Sequence, residues 1–443
     1  MASAAEQLAS NMSLSSFGKA EELKKRIWFA LGALIVYRLC TYIPLPGIDP
    51  VALRNMFADL GGNFLDVVNT FSGGALQRMS IVTLGIIPYI SASIIMQLLT
   101  TMNSTLAQWK KEGEQGRKKI NQMTRYGTVA LTIVQGWGVA TGLQGQAGVV
   151  IDPGLFFVLT TVITLVGGTM FLMWLGEQIT QRGIGNGISL IIFAGIVAEL
   201  PGTLAQAFTL SRNGQLDLPI LIAMLVGAAA LIWFIVFFER AQRRVVIQYP
   251  KRQQGNRVHQ GDKSHLPLKL NVAGVIPPIF ASSLLLMPLT VAGMYQTGGP
   301  EWITTVTALL GPGKPVYIAL YIALIVFFCF FYTAIQFNPE ETADNLKKHG
   351  GFVPGIRPGK RTAEYLDYVL TRLTVIGSAY IATVCAIPEF LIGQANVPFY
   401  LGGTSLLIVV NVTMDTVSQI QSHLMAQQYE SLLKKSRLKG GRR

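Results

Sequence analysis

Few residues in this chain have the types and spacing that chemistry needs. The four histidines, His259, His265, His349 and His423, are scattered without ligand spacing. The three cysteines, Cys40, Cys329 and Cys385, sit singly inside apolar segments. That pattern suggests neither a zinc site nor a disulfide framework, so no metal or other cofactor is expected. The run Gly183-Ile184-Gly185-Asn186-Gly187 opens an apolar segment without a preceding strand, which is not a nucleotide fingerprint. No nucleophile–base pair stands out. Glu177, Glu199, Glu389 and Asp415 all fall near the ends of apolar segments, as does Arg38, whose stem can snorkel. Ion- or proton-coupled carriers need a buried carboxylate that gains and loses its partner. The chain therefore reads as a conduit with no catalysis or energy coupling of its own.

What the chain does repeat is aliphatic. Gly85-Ile86-Ile87-Pro88-Tyr89-Ile90-Ser91-Ala92-Ser93 recurs as Gly274-Val275-Ile276-Pro277-Pro278-Ile279-Phe280-Ala281-Ser282, with six of nine positions identical. A weaker echo pairs Gly187-Ile188-Ser189-Leu190-Ile191-Ile192 with Gly403-Thr404-Ser405-Leu406-Leu407-Ile408 in the same order. One echo could arise by chance in Gly- and Pro-bearing membrane segments. Two in order argue for a duplicated membrane protein with its working site between the copies. The repeats make Ile90 equivalent to Ile279 and Ile192 to Ile408, and Ile86 lies one turn before Ile90 on the same helical face. Singly, each is an ordinary packing or lipid-facing residue. As a symmetric set, Ile86, Ile90, Ile192, Ile279 and Ile408 predict a narrow dewetted constriction that resists ions yet can widen. Pro and Gly loosen the backbone of the second and seventh segments. Ser91, Ser93 and Gln97 on one, with Pro277, Ser282 and Ser283 on the other, give a seam of small and polar positions that could part sideways; ordinary packing is the equal alternative.

Those residues need elements to hold them. The 443 residues are 51% hydrophobic and 13% charged, an integral-membrane composition. Apolar stretches of spanning length predict ten transmembrane helices near 27–43, 80–100, 126–143, 154–175, 184–200, 218–238, 272–295, 316–336, 373–388 and 397–417. With the amino end inside, only Arg54, Arg78, Arg212 and Lys314 among the 36 Lys and Arg residues lie outside, and Arg38 lies within the first span. An even number of spans returns both termini to the cytoplasm. Five per half is odd, so the second copy must be inverted. The expected organisation is a cytoplasmic N-terminal segment 1–26, a first five-helix half 27–200, an external hinge connection 201–217, a second half 218–420 and a basic cytoplasmic tail 421–443. No cleavable signal peptide is evident in the polar first 26 residues. The net charge of +13 follows mostly from topology. A docking surface for an acidic-faced partner or ribosomal RNA stays open, whereas specific DNA binding is not expected.

Three basic connections, about 103–125, 239–271 and 337–372, face the cytoplasm in this arrangement. In the second, Arg243-Arg244-Val245-Val246-Ile247-Gln248-Tyr249 and then Lys251-Arg252-Gln253-Gln254-Gly255-Asn256-Arg257 predict a hairpin with a basic tip. In the third, Asn338-Pro339-Glu340 is a helix start, with an end expected near His349-Gly350-Gly351. Pro354-Gly355-Ile356-Arg357-Pro358-Gly359 follows, a rigid double turn that holds Arg357 outward. Docking accounts for that arginine better than a stiff linker with a solvated charge. On the outer side, Gly61-Gly62 and Gly73-Gly74 bracket a stretch too short to span, and glycine pairs are natural hinges. The residues alone favour a surface loop helix there over a segment folded back into a cavity.

Over nearly its whole length the chain resembles the bacterial SecY family of protein-translocase channel subunits. The resemblance rests on Phe71-Ser72-Gly73-Gly74-Ala75-Leu76, Pro88-Tyr89-Ile90-Ser91-Ala92-Ser93-Ile94, Leu175-Gly176-Glu177-Gln178-Ile179-Thr180 and Gly183-Ile184-Gly185-Asn186-Gly187-Ile188-Ser189. Phe337-Asn338-Pro339, Phe352-Val353-Pro354-Gly355-Ile356-Arg357-Pro358-Gly359 and Gly402-Gly403-Thr404-Ser405-Leu406-Leu407-Ile408 continue it in order. It implies an all-α integral membrane protein, ten transmembrane helices in two inverted five-helix halves around a central hourglass pore, ringed by the five isoleucines. It implies a plug at about 61–74, carried by Phe64, Leu65, Val67, Val68 and Phe71, and a lateral gate made by the second and seventh segments. Arg243, Arg244, Lys251, Arg252, Arg257 and Arg357 would dock the ribosome or the motor ATPase SecA. SecE and SecG are the implied subunits, signal sequences and nascent chains the clients, lipid the sideways exit, and the bacterial cytoplasmic (inner) membrane the location. Two departures stand out. Asn256 replaces an expected second basic residue beside Arg257, which weakens docking there, and Pro277-Pro278 doubles a proline, which changes how the gate helix bends.

Overall fold

The computed structural model describes residues 21–53, 69, 72–145, 148–214, 217–249, 252–254, 257–259, 263–293, 314–395 and 402–440. In chain order the helices are α1 (Glu21–Cys40), α2 (Ile87–Met102), α3 (Ser104–Lys111), α4 (Glu114–Gln144), α5 (Leu155–Arg182), α6 (Gly187–Arg212) and α7 (Leu218–Arg240). Strands β1 (Gln242–Gln248), β2 (Arg252–Gln254), β3 (Arg257–His259) and β4 (Lys263–Lys269) follow. The chain continues as α8 (Ile276–Gly293), α9 (Pro315–Gln336), α10 (Pro339–Lys348), α11 (Lys360–Ala395) and α12 (Gly403–Gly440). Each of the ten expected spans coincides with one helix, of which α2 is short. Five of them, α5, α6, α7, the stretch from Pro315 and α11, are long and apolar enough to cross a membrane. The protein is a multi-pass, all-α membrane protein.

The helix boundaries depart from the hydropathy reading for backbone reasons. The second span was expected from residue 80, but α2 begins at Ile87, because Gly85 takes φ +56° and Pro88 lies in the first turn. Sixteen helical residues rise about 24 Å, less than a bilayer core. Residues 72–86 precede α2 as turns that are buried apart from Gln77, Arg78 and the half-buried Ile81, with Ser80 and Thr83 fully buried and the Thr83 hydroxyl donating to the Ser80 carbonyl. Elsewhere helices run further than expected. Helices α3 and α4 absorb most of the connection 103–125, α6 continues to Arg212 through much of 201–217, α11 starts within 337–372, and α12 runs on through 421–440.

Two compact units divide the chain: Met1–Gln206 with Thr290–Pro300 and Ile408–Arg443, and Ala207–Leu289 with Glu301–Leu407. In the first, Leu45, Leu76, Met79 and Leu84 pack with Ala140, Phe157 and Leu165 from α4 and α5. Thr124, Thr128 and Thr132 form one buried stripe along α4, each hydroxyl donating to the carbonyl four residues back, so that no hydroxyl proton is left unbonded in the apolar surroundings. In the second, the hairpin strands β1 and β4 pair antiparallel over seven residues from Gln242↔Lys269 to Gln248↔Lys263. Val245 and Leu268 turn inward onto Val353, Leu366, Val369 and Leu373, which welds the hairpin to the start of α11.

Candidate functional site

The two sequence echoes are also echoes of backbone geometry. Gly85 (φ +56°) and Gly274 (φ +65°) each take the left-handed conformation two residues before a helix, α2 and α8, with Pro88 or Pro277 as its second residue. Gly187 and Gly403 each open a helix, α6 and α12, by direct backbone contact with the preceding one. A Cβ on Gly187 would overlap the Gly176 carbonyl of α5, and one on Gly403 the Val384 carbonyl of α11. Ile90, Ile279, Ile192 and Ile408 each stand five residues after one of these four glycines. Ile86 caps α2 and its carbonyl accepts the Ile90 amide at 3.0 Å. Ile86, Ile90, Ile192 and Ile408 are 5%, 9%, 6% and 1% exposed, so these four are packed in protein rather than turned to lipid, and Ile279 is half-buried.

On α2, Ser91 is buried, Ser93 and Gln97 are half-buried, and the buried Gln97 carbonyl oxygen has no hydrogen-bond partner among the described residues. On α8, Pro277, Ser282 and Ser283 are buried, and the Ser282 hydroxyl donates to the Ile279 carbonyl at 3.0 Å. That bond keeps a polar group satisfied within its own helix while leaving the surface small.

The expected plug residues Phe64, Leu65, Val67, Val68 and Phe71 lie outside the described residues. From Ser72 on, the backbone is anchored specifically. Tyr37 donates its hydroxyl proton to the Ser72 carbonyl at 3.3 Å, and Arg38 donates to the Gly73 carbonyl at 2.5 Å. Gly73 (φ +66°) and Gly74 (φ +77°) are read from sequence as hinges, yet here they press against α6. A Cβ on Gly73 would stand 2.8 Å from the Gly195 Cα, and one on Gly74 would overlap the Glu199 carboxylate. Glu199 lies 3.8 Å from Arg38 and 4.0 Å from Arg78, and both guanidiniums stack over the Tyr42 ring. Sequence reasoning leaves these charges separate, with Arg38 snorkelling from the first span, Glu199 near a span end and Arg78 outside. Their pairing is long-range and carries no local signal.

The basic connections fold into a rigid frame. Arg243 and Arg244 on β1 are exposed, and so is Arg357. Lys251 lies outside the described residues; Arg252 and Arg257 belong to β2 and β3, which pair Arg252↔His259 through Gln254↔Arg257 across the expected turn. Gln248 and Phe352 exchange two backbone hydrogen bonds of 2.9 Å, joining the hairpin to the loop before Arg357. Thr362 donates to the Arg357 carbonyl at 3.0 Å and Ile356 to Val353 at 3.1 Å, so the double turn is held from both sides. Asn338 caps α10 by accepting from the Glu340 and Glu341 amides, as expected from Asn338-Pro339-Glu340. Exposed cations on so fixed a frame can recognise an acidic surface without first being ordered.

The SecY family model matches residues 80–417. The chain belongs to the SecY family. It is 57% identical over 430 residues to the protein translocase subunit SecY of Escherichia coli K12, covering 96% of this chain and 97% of that relative. It is 56% identical over 425 residues to the same subunit from Vibrio cholerae, covering 95% and 96%. Among solved structures, its fold is similar to a protein conducting channel (TM-score 0.64, 20% identity, 90% of this chain and 92% of that one). It is also similar to Sec61 in the canine ribosome-channel complex (TM-score 0.63, 20% identity, 90% and 92%). A SecY structure whose plug domain stabilises the closed state matches with TM-score 0.61 and 19% identity, over 90% and 92%. Within the SecY family frame, the motifs spanning Gly183–Ser189 and Gly402–Ile408 mark the close glycine contacts described above.

Proposed function

We propose that this chain is a gated protein-conducting channel that passes unfolded secretory polypeptides across the bacterial inner membrane and releases transmembrane segments sideways into lipid. The observation that carries the reading is the fourfold recurrence of an isoleucine five residues after a helix-opening glycine, on α2, α6, α8 and α12. In this reading two inverted five-helix halves meet around an hourglass pore. Ile86, Ile90, Ile192, Ile279 and Ile408 form its constriction, which seals the resting channel by dewetting and fits closely around a polypeptide in transit. Residues 61–74 plug the outer funnel. Helices α2 and α8 form the lateral gate, where Ser91, Ser93, Gln97, Ser282 and Ser283 keep the seam weak, and Pro277 lies in the first turn of α8. Arg243, Arg244, Lys251, Arg252, Arg257 and Arg357 dock SecA or the translating ribosome, whose chemistry drives movement; SecE and SecG complete the membrane complex. Both termini lie in the cytoplasm. The likeness to a ribosome-bound Sec61 supports the docking side, and the likeness to a plug-bearing channel supports the seal.

The test is electrical. Replacing Ile86, Ile90, Ile192 and Ile408 together by Asn hydrates the constriction, so resting channels in planar bilayers should conduct ions continuously. Unchanged resting conductance with a correctly folded protein would remove the ring from the reading.

A further inference from the structure

Glu239 is a buried carboxylate that the channel reading leaves without a role. It lies in the last turn of α7, one residue before its end, where the helix dipole opposes negative charge, and it is 7% exposed. Asn271, 4% exposed, donates its side-chain amide to the Glu239 carboxylate at 2.6 Å. The same amide group reads the turn that opens α8: Nδ2 reaches the Gly274 carbonyl at 3.2 Å and Oδ1 accepts the Gly274 amide at 3.0 Å. The hairpin lies between these two residues in the chain. Its root closes with Gln242↔Lys269 and with Leu270 donating to the Ala241 carbonyl at 3.0 Å. Helix α11 closes the fourth side, since a Cβ on Gly377 would come 2.9 Å from the Leu270 carbonyl and 3.6 Å from the Asn271 Cα. Tyr380 of α11 stacks on Phe238, the neighbour of Glu239, at 4.6 Å and 3°.

We infer that Glu239 and Asn271 are positioning residues that couple the basic hairpin to α8, so that a load on the hairpin is passed to the helix carrying Ile279, Ser282 and Ser283. The physical basis is stiffness with one weak point. The hairpin root, β1 paired with β4, is a seven-residue ladder fixed to α11, and only Leu270–Val275 separates it from α8. Gly274, at φ +65°, is the natural pivot of that link, and nothing but the Asn271 side chain spans it in the described hydrogen bonds. With Asn271 held by Glu239, hairpin root and α8 move as one. Without that bond the pivot absorbs the movement. This rests on the docking and gate assignments of the proposed function.

The experiment uses the complete membrane complex in proteoliposomes, with Ser91→Cys and Ser282→Cys as a gate reporter and disulfide yield read with and without SecA. In the parent, SecA should change the yield. Asn271→Ala should shrink that change at least threefold while SecA affinity stays within twofold. Asn271→Asp sets two carboxylates face to face and should do the same. The isosteric swap Glu239→Gln with Asn271→Asp reverses donor and acceptor between the two side chains and keeps the bond from the Gly274 amide, but not the one to the Gly274 carbonyl, so it should restore part of the response. It also covers the case in which Asn271→Ala fails to fold. An undiminished SecA response in folded Asn271→Ala, or a swap as unresponsive as Asn271→Asp alone, overturns the coupling and leaves the channel reading standing. A parent whose reporter ignores bound SecA overturns both.

Discussion

Glu199 of α6 stands 3.8 Å from Arg38 of α1, and the pair grips the backbone turn at Gly73-Gly74 between the two helices. Arg78 joins the same carboxylate from the other side of that turn at 4.0 Å. One acid thus screens two arginines from each other where both approach the Tyr42 ring. Glu199→Gln should lower stability by about 1 kcal/mol, the upper range for partly exposed ion pairs. Adding Arg78→Gln should recover part of the loss by removing the repulsion. Thermal denaturation of the purified complex in detergent reads both.

The glycine contacts give a graded set. Gly187→Ala and Gly403→Ala each force a Cβ into a carbonyl of the neighbouring helix and should destabilise the protein by roughly 1–3 kcal/mol, the range for overpacking. Gly167→Ala, on α5 with nothing within 4 Å of the added carbon, should be neutral or slightly stabilising. Equal melting temperatures for all three variants would contradict the close approach.

A lateral exit makes a covalent prediction. Oxidising a Ser91→Cys, Ser282→Cys pair should abolish export of a signal-bearing client, and reduction should restore it. Full-rate export with the disulfide formed, scored on non-reducing gels, would argue that clients leave by another path.

Arg357 is exposed and held only through its backbone in the described contacts, so Arg357→Glu should leave folding unchanged. Charge reversal on a docking surface should nevertheless lower motor-driven export several-fold, more at low than at high ionic strength. Inverted-vesicle translocation assays across a salt series measure this.

Much of the architecture was legible in the sequence because membrane spans are read from composition. All ten expected segments contain a helix, and the echoes identified the glycines that open α2, α6, α8 and α12. Hydropathy could not say that α2 starts at Ile87 rather than near 80, since an apolar turn and an apolar helix score alike; Gly85 and Pro88 were the available clue. Charge partners were beyond reach for a different reason. Glu199 and Arg38 meet only after helices far apart in sequence have packed, and Glu239 and Asn271 only once the hairpin between them has closed at its root; nothing in either side chain marks the pairing. A carboxylate in the last turn of an apolar helix, where the dipole disfavours it, was the one sign that Glu239 had a task.

Helix α11 deserves a mechanical reading. Its 36 residues, Lys360–Ala395, make a rod about 54 Å long at the usual rise. Its near end is gripped by the hairpin through Leu366, Val369 and Leu373, while Ser378, Tyr380 and Val384 lie further along, in the apolar stretch. Such a rod is a lever. A swing of about 5° at the gripped end would carry Pro388, about 42 Å along an unbroken run of turns, by roughly 4 Å. A small push on the aqueous side is thereby magnified on its way into the bilayer.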